Sequence, residues 1–120
     1  MNAIATKLLD HAYLSTDVGY SAIQQTREVP VSGNSVVMSA FVHNTGGAGT
    51  LTLTFQLEAS YDGRTWLAIG SALTKSSFGY GPGTAESTVR YAWLRVTVTA
   101  SSSGGNNDAS CDVTITQTQQ

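Results

Sequence analysis

The chain carries few side chains that could do chemistry, and none of them forms a recognisable catalytic set. Its two histidines, His11 and His43, have no sequence partner at a zinc-ligand spacing and no context of a catalytic triad. The eight carboxylates are spread singly, and no GxSxG, HExxH or CxxC motif occurs. We therefore expect no enzymatic activity, no cofactor and no metal site, with both histidines in structural roles.

Two further groups of residues could in principle bind a metal ion, but their patterns do not indicate a metal site. Cys111 shares its parity with Val113 and Ile115 in SCDVTIT, which predicts a buried thiol, and a single cysteine cannot form an intramolecular disulfide. The oxygens offered by residues 106–108 do not match the spacing of a calcium loop, which needs six or more ligands.

The composition favours assembly over a free monomer. Only 12% of the 120 residues are charged, against about 25% in typical globular proteins, and serine and threonine make up a quarter of the chain. Lysine and other charges normally guard the edges of β-sheets, so a β-protein this poor in charge is weakly protected against edge pairing. We interpret the hydroxyl-rich surface as partly covered by neighbouring subunits.

Charge and hydropathy exclude several other classes of partner. The net charge is -2, and the six Lys and Arg residues are scattered with no basic stripe, so we expect no nucleic acid partner. No stretch reaches the length of a transmembrane helix, and the N-terminal sequence lacks the apolar run of a secretory signal. We expect a protein of the cytoplasm or of a particle assembled there.

Residues 51–70 organise the predicted fold. In LTLTFQLEAS, apolar residues alternate with hydroxyl-bearing and other polar ones, which is typical of a half-buried strand. The strand ends at Asp62-Gly63, a pair suited to a tight turn, and residues 65–69, with Trp66, return antiparallel.

Similar alternation predicts an antiparallel β-sandwich, jelly-roll or immunoglobulin-like, of about seven or eight strands. Its inner faces contain the even positions of residues 35–43, the odd positions of residues 110–118, and Ala92, Leu94, Val96 and Val98. Pro30 belongs at a strand end or edge because it has no N–H donor. The predicted strands are residues 18–25, 26–31, 35–43, 51–60, 65–69, 90–99 and 110–118; the predicted loops are residues 44–50, 71–83 and 100–109.

Residues 3–14 have the pattern of a short helix. Ile4, Leu8 and either Ala12 or Leu9 share one helical face, and Gly and Pro are absent. Such a helix could close the core, dock on a neighbouring subunit as an arm, or order only in the assembly, and an extended arm is a further alternative. We therefore divide the chain into an N-terminal arm or helix, residues 1–16, with Ile4, Leu8 and Leu9 as candidate assembly contacts, and a β-sandwich domain, residues 17–120.

Exposed aromatic residues are the candidate interface or ligand platform. Phe78 and Tyr80 lie in a glycine-punctuated loop, and Tyr91, Trp93 and Arg95 form the outward row of a predicted strand. Tryptophan, tyrosine and arginine are enriched at interface hot spots. The alternatives are that Phe78 and Tyr80 plug the end of the sandwich and that the protein's own loop covers Trp93.

The hairpin also carries a resemblance. Ser60, Asp62, Gly63 and Trp66 in ASYDGRTW, followed by RYAWLRVTVT at residues 90–99, are similar to a β-sandwich module of bacteriophage virion proteins. In that module an S-x-D-G-x-x-W hairpin precedes a Y-x-x-L/V-R-V strand. Such modules decorate heads, form spikes or sit in tails, and related sandwiches bind carbohydrate or act as adhesins. The resemblance covers about residues 51–100 and implies a fold more than a role.

These observations lead to two hypotheses. The first is a structural, self-assembling subunit of a phage-like virion, fibre or filament (capsid, decoration or tail component), located in the particle, with itself or a capsid or tail protein as its partner. The second is a carbohydrate- or surface-binding module that uses its exposed aromatics, with a glycan as ligand.

Overall fold

The protein is an all-β antiparallel sandwich, as the alternation predicts. The computed structural model describes residues 3–16, 21–47, 51–76, 79–86, 90–102 and 107–119. Within that part of the chain, no helix is long and apolar enough to cross a membrane. The ten strands found there are β1 (Ala3–Thr16), β2 (Ser21–Gln25), β3 (Val29–Pro30), β4 (Ser35–Gly47), β5 (Leu51–Ser60), β6 (Leu67–Ala68), β7 (Leu73–Lys75), β8 (Gly79–Glu86), β9 (Trp93–Ser102) and β10 (Asn107–Thr118).

The strands form two sheets in which every pairing is antiparallel. The four-stranded sheet has the order β1-β10-β4-β8, and the six-stranded sheet has the order β2-β9-β5-β6, with β3 also paired to β9 and β7 to β5. Strands β1 and β8 therefore lie at the edges of the first sheet, and β2 and β6 lie at the ends of the second. Pro30 pairs opposite Trp93 in the two-residue strand β3, at the margin of the sheet.

A single apolar core joins the two sheets. Because side chains alternate along a strand, each strand contributes every second residue to this core. The fully enclosed side chains include Met38 and Val42 from β4, Phe55 from β5, Val96 from β9 and Ile115 from β10. The predicted inner faces are confirmed except at Ala92, which is exposed because it lies before the first residue of β9.

Cys111 is one of the core residues. It is fully enclosed, and burial, with a smaller contribution from the neighbouring Asp112 carboxylate, raises the pKa of its thiol to about 11. The thiol is therefore protonated at neutral pH and packs as a small apolar side chain.

The turn at Asp62-Gly63 is held by local hydrogen bonds. The Gly63 N–H donates to Ser60 Oγ (2.8 Å), and the N–H groups of Arg64 and Thr65 donate to Asp62 Oδ1 (2.8 and 2.9 Å). Gly63 has a φ of +78°, which glycine adopts at low cost. The returning strand β6 pairs only Leu67 and Ala68 with β5, so it is shorter than residues 65–69.

The N-terminal helix prediction is wrong. Residues 3–16 form β1, which pairs along β10 from Ala3 opposite Thr118 to Thr16 opposite Asn107. Two register shifts, one between Lys7 and Leu9 and one between Leu9 and Ala12, each add a residue to β1. These bulges break the two-residue period, and hydrogen bonding to β10 outweighs the weak helical propensity of a short segment.

Three predicted loops are also partly strand. Residues 44–47 belong to β4 and pair with the start of β10, and β9 continues to Ser102. Residues 71–83 contain β7 and the start of β8, which approach each other so closely that a Cβ at Gly81 would lie 2.9 Å from Leu73 Cδ2. Backbone pairing therefore extends into glycine- and serine-rich segments whose composition is typical of loops.

Candidate functional site

The predicted aromatic platform is divided between the two outer faces of the sandwich. Tyr80 lies on β8 opposite Phe41, on the outer face of the four-stranded sheet. Trp93 and Arg95 lie on the outer face of the six-stranded sheet, where β9 runs beside β5. Phe78 lies outside the described residues. Tyr80 therefore cannot share one binding surface with Trp93 and Arg95.

The outer face of the six-stranded sheet carries an ion pair beneath an aromatic ring. Arg95 Nε donates to Glu58 Oε1 at 2.7 Å, and Thr97 Oγ1 donates to the same oxygen at 2.6 Å. The Arg95 guanidinium lies 4.2 Å from the centre of the Trp66 ring, in cation–π contact. Arg95 and Trp66 are thus engaged within the protein.

Aromatic side chains next to this ion pair remain accessible. Trp93 and Tyr61 are 36% and 67% exposed. Tyr61 and Tyr91 have ring centres 4.6 Å apart in a tilted arrangement, and Tyr91 is half-buried against the core. A Cβ at Gly63 would lie 3.9 Å from the Trp93 indole, so the hairpin turn lies beside that ring. We refer to Tyr61, Tyr91 and Trp93 as the aromatic patch.

The outer face of the four-stranded sheet contains a depression of about 340 Å³. This volume lies within the range of small-ligand sites, about 300–1,000 Å³. Two aromatic rings and several ionisable groups surround it. The lining residues are Lys7, Ser39, Ala40, Phe41, His43, Tyr80, Asp112 and Thr114.

A histidine–aspartate cluster lies at one side of the depression. His43 Nε2 of β4 is 2.8 Å from Asp112 Oδ2 of β10, and His11 Nδ1 of β1 is 3.7 Å from Asp112 Oδ1. The two imidazole rings stack with centres 3.8 Å apart and planes inclined by 15°. Asp10 Oδ1 lies 2.9 Å from His11 Nδ1, and the Lys7 ammonium is 3.4 Å from both carboxylates.

The second bulge in β1 brings His11 into this cluster. His11 has a φ of +51°, an unusual value for a residue other than glycine. Its N–H donates to Asp112 Oδ1 at 2.7 Å. The Asp112 carboxylate therefore satisfies a backbone donor at the bulge and contacts the side chains of both histidines.

The charges in the cluster stabilise one another. Burial opposes ionisation of Asp112, but the His11 N–H, the His43 side chain and the Lys7 charge together hold the pKa of Asp112 below its usual value. Contact with His11, and then with Lys7, lowers the pKa of Asp10. Partial burial of the Lys7 ammonium acts against its charge, yet the two carboxylates raise the pKa of Lys7.

Among the described residues, His11, His43 and Asp112 form a group that could hold a metal ion. The sequence pattern does not indicate this group, because its members come from three strands that are distant in the sequence. The two-residue alternation places His43 and Asp112 on outer faces. The helix predicted over residues 3–14, however, gives His11 no defined neighbour. Only the register of β1, β10 and β4 brings the three residues together.

Comparison with known proteins identifies the fold. No protein-family model and no curated protein matches the sequence. Among solved structures, that of the infectious bursal disease virus Gx strain matches with a TM-score of 0.63 and 13% identity, over 97% of this chain and 33% of that one. The module TmCBM61 in complex with beta-1,4-galactotriose matches with a TM-score of 0.54 and 13% identity, over 86% of this chain and 67% of that one.

A third structure comes from a phage. The enzymatically active domain of bacteriophage CBA120 tailspike protein 4 matches with a TM-score of 0.51 and 10% identity, over 93% of this chain and 19% of that one. This chain spans about a third of the length of the infectious bursal disease virus chains it matches. At these identities the likeness is one of fold, so the resemblance to β-sandwiches of virion proteins holds at that level.

Proposed function

We propose that this chain is a non-catalytic structural subunit that associates with copies of itself, or with a capsid or tail protein, in a virion-like particle or appendage. The observation that carries the proposal is that exposed large apolar side chains occur on the outermost strand at both ends of each sheet. These residues are Ile4 and Tyr13 on β1, Tyr80 on β8, Ile23 on β2 and Leu67 on β6.

Edge strands of free monomers are normally guarded by charge, by proline or by bulges. Neither β2 (SAIQQ) nor β6 (LA) contains a charged residue. Strand β1 has its charges and both bulges between Lys7 and Ala12, so its two ends pair in regular register with β10 and carry Ile4 and Tyr13. The other edge positions are better protected. Strand β8 contains Pro82, Glu86 and a register shift, and β7 beside β6 carries Lys75. The least protected edges are therefore β2 and the two ends of β1, which favour contact with another subunit over contact with water.

Viral neighbours support the same proposal at the level of fold. One of the similar structures is described as an infectious bursal disease virus VP2 subviral particle, and another as derived T=1 particles. A sandwich of this architecture is therefore compatible with particle formation, although those chains are about three times longer.

Light scattering and negative-stain imaging of the purified full-length protein test self-association. We expect a regular particle or filament far above the chain mass of 12.6 kDa. The variant Ile23→Lys places a charge on the uncharged edge β2 and should shift the protein to smaller species.

Val37→Lys is the matched control. Val37 is also an exposed apolar residue, 40% exposed, but it lies on β4 inside the four-stranded sheet. This variant should assemble as the wild type does. A wild-type monomer at every concentration tested, or equal dispersal by both substitutions, would contradict self-association through the edges.

Glycan binding is the second candidate function, because the aromatic patch presents accessible rings beside a tight turn. Aromatic faces are common stacking surfaces for apolar ligand faces. Affinity electrophoresis in β-1,4-galactan, the polymer of the sugar bound by TmCBM61, would detect retardation. Retardation lost in Trp93→Ala, with folding and assembly unchanged, would support this candidate, and dispersal of the assembly by Trp93→Ala would instead make the patch an interface.

A further inference from the structure

We propose that His11, His43 and Asp112 bind one divalent transition-metal ion of the Zn²⁺ type on the outer face of the four-stranded sheet. Each residue offers one ligand atom, and these atoms lie within 4.8 Å of one another. They come from three neighbouring strands, β1, β10 and β4. This site departs from the expectation of no metal, and it does not depend on the proposed assembly.

The donor set selects the class of metal. Two imidazole nitrogens and one carboxylate oxygen suit Zn²⁺ and similar borderline cations, whereas Ca²⁺ and Mg²⁺ prefer oxygen ligands alone. Three protein ligands leave at least one coordination position for water or a further ligand. Asp10 contacts His11 Nδ1 at 2.9 Å, and Nδ1 is also the His11 nitrogen near Asp112, so this contact must break when Nδ1 binds the metal.

The contact between His43 and Asp112 leaves one buried nitrogen unsatisfied. His43 Nε2 is buried and 2.8 Å from Asp112 Oδ2, yet it has no hydrogen-bond partner of acceptable geometry. Two tetrahedral ligands bound at about 2.0–2.1 Å lie about 3.3–3.4 Å apart, so a bound ion requires these two atoms to separate by about 0.5 Å. A cation at this position would satisfy the buried nitrogen, which the carboxylate alone does not.

Binding requires two exposed side chains to move. The lone pairs of imidazole nitrogens lie in the ring plane, so two stacked rings inclined by only 15° cannot both point at one ion, and the His11 ring, which is 64% exposed, must turn. The Lys7 ammonium, 3.4 Å from Asp112 Oδ2 and 49% exposed, must swing away. Lys7 therefore competes with the metal for the same carboxylate.

The consequence of binding is that the metal would fasten the edge strand β1 to the two strands inside its sheet. Isothermal titration of the metal-stripped, full-length protein with Zn²⁺ should show one site per chain and a rise in melting temperature, with no such response to Mg²⁺. Co²⁺ should give the visible absorption of a bound ion, which reports coordination independently of stability.

Single substitutions assign the ligands. His43→Gln and His11→Asn should each weaken Zn²⁺ binding by more than about tenfold; asparagine is chosen at position 11 because it tolerates positive φ. Lys7→Met should strengthen binding. Glu58→Gln, on the opposite outer face, and Cys111→Ala, which removes the thiol, should leave the affinity unchanged.

Zn²⁺ binding absent from the wild type would overturn the proposal. Unchanged affinity in His11→Asn, an exposed position whose replacement leaves the core intact, would do the same. Loss of binding in Cys111→Ala with the histidine variants unaffected would assign the metal to the thiol and also reject this site.

Discussion

Two aspartates accept hydrogen bonds from backbone N–H groups at places where strand pairing is interrupted. Asp62 accepts the N–H groups of Arg64 and Thr65 after β5 ends, and Asp112 accepts the N–H of His11 at the bulge of β1. Backbone donors left without a partner strand need another acceptor, and an ionised carboxylate is a strong one. In a protein with so few charges, two of the carboxylates therefore stabilise the backbone, one at a turn and one at a bulge.

The first prediction concerns Asp62 and pH. Hydrogen bonds from the N–H groups of Thr65 and Arg64, and then from Ser60, lower the pKa of Asp62 below its ordinary value of 3.8. A lowered folded-state pKa stabilises the fold above the unfolded value, and this stabilisation is lost as pH falls through the folded value. Asp62→Asn should therefore be less stable than wild type at pH 7, and the difference should shrink below about pH 4.

Urea denaturation of both proteins from pH 7 to pH 3 measures this difference. Asp108→Asn is the control for removing a carboxylate that accepts no backbone N–H among the described contacts; its side chain accepts from the Tyr13 hydroxyl. A difference between Asp62→Asn and wild type that stays constant across the range would show that the carboxylate charge is not what holds the turn.

At the scale of elements, the sequence was sufficient wherever alternation was unbroken. Strand β5, residues 35–43 of β4 and residues 110–118 of β10 follow with their inner faces from the two-residue period. Around residue 43, β4 has a register shift against β10, and its continuation lies in a predicted loop.

Strand β1 does not follow the two-residue period, because its two bulges bring Leu8 and Leu14 into the core while Ile4 and Ala12 keep a helical spacing from Leu8. Bulges are set by pairing with β10, which a single segment of sequence does not reveal.

The second prediction tests how closely the chain after β3 approaches β10. Gly33 has a φ of +102°, and a Cβ there would lie 2.5 Å from the Thr118 carbonyl oxygen. Gly33→Ala should cost about 1–3 kcal/mol from backbone strain, with the collision with the β10 backbone in addition. Gly63→Ala is the matched variant, because Gly63 also has positive φ but only ordinary contacts at 3.9 Å.

Denaturant unfolding of both glycine variants compares the two costs. We expect Gly33→Ala to be the more destabilised, since it carries strain and collision together. Equal losses would mean that the positive φ alone matters and that the end of β10 moves aside without cost.

At the scale of the whole molecule, the two outer faces of the sandwich differ chemically, and the shared core lies between them. The aromatic patch and the Glu58–Arg95 ion pair lie on one face, and the histidine–aspartate cluster lies on the other. Sequence patterns indicated which side chains point outward but not which sheet each strand joins. Tyr80 and Trp93 therefore lie on opposite faces, and the cluster of His11, His43 and Asp112 was not foreseen.

The third prediction follows from the shared core. Met38 of the four-stranded sheet and Leu57 of the six-stranded sheet are both fully enclosed. Met38→Ala and Leu57→Ala should each cost about 2–5 kcal/mol, because both leave a cavity in the same core. Each loss should lower the stability of both sheets together, since the buried apolar residues described in the two sheets form one cluster.

The two tryptophans make this cooperativity measurable, because Trp66 and Trp93 both belong to the six-stranded sheet and its hairpin. Met38→Ala lies in the other sheet, yet it should shift the tryptophan fluorescence transition in urea and the far-ultraviolet circular dichroism transition to the same lower midpoint. Thr74→Ala, at an exposed position on β7, should change the free energy of unfolding by less than about 0.5 kcal/mol. If Met38→Ala shifts the dichroism transition but not the fluorescence transition, the sheets unfold separately and the single-core interpretation fails.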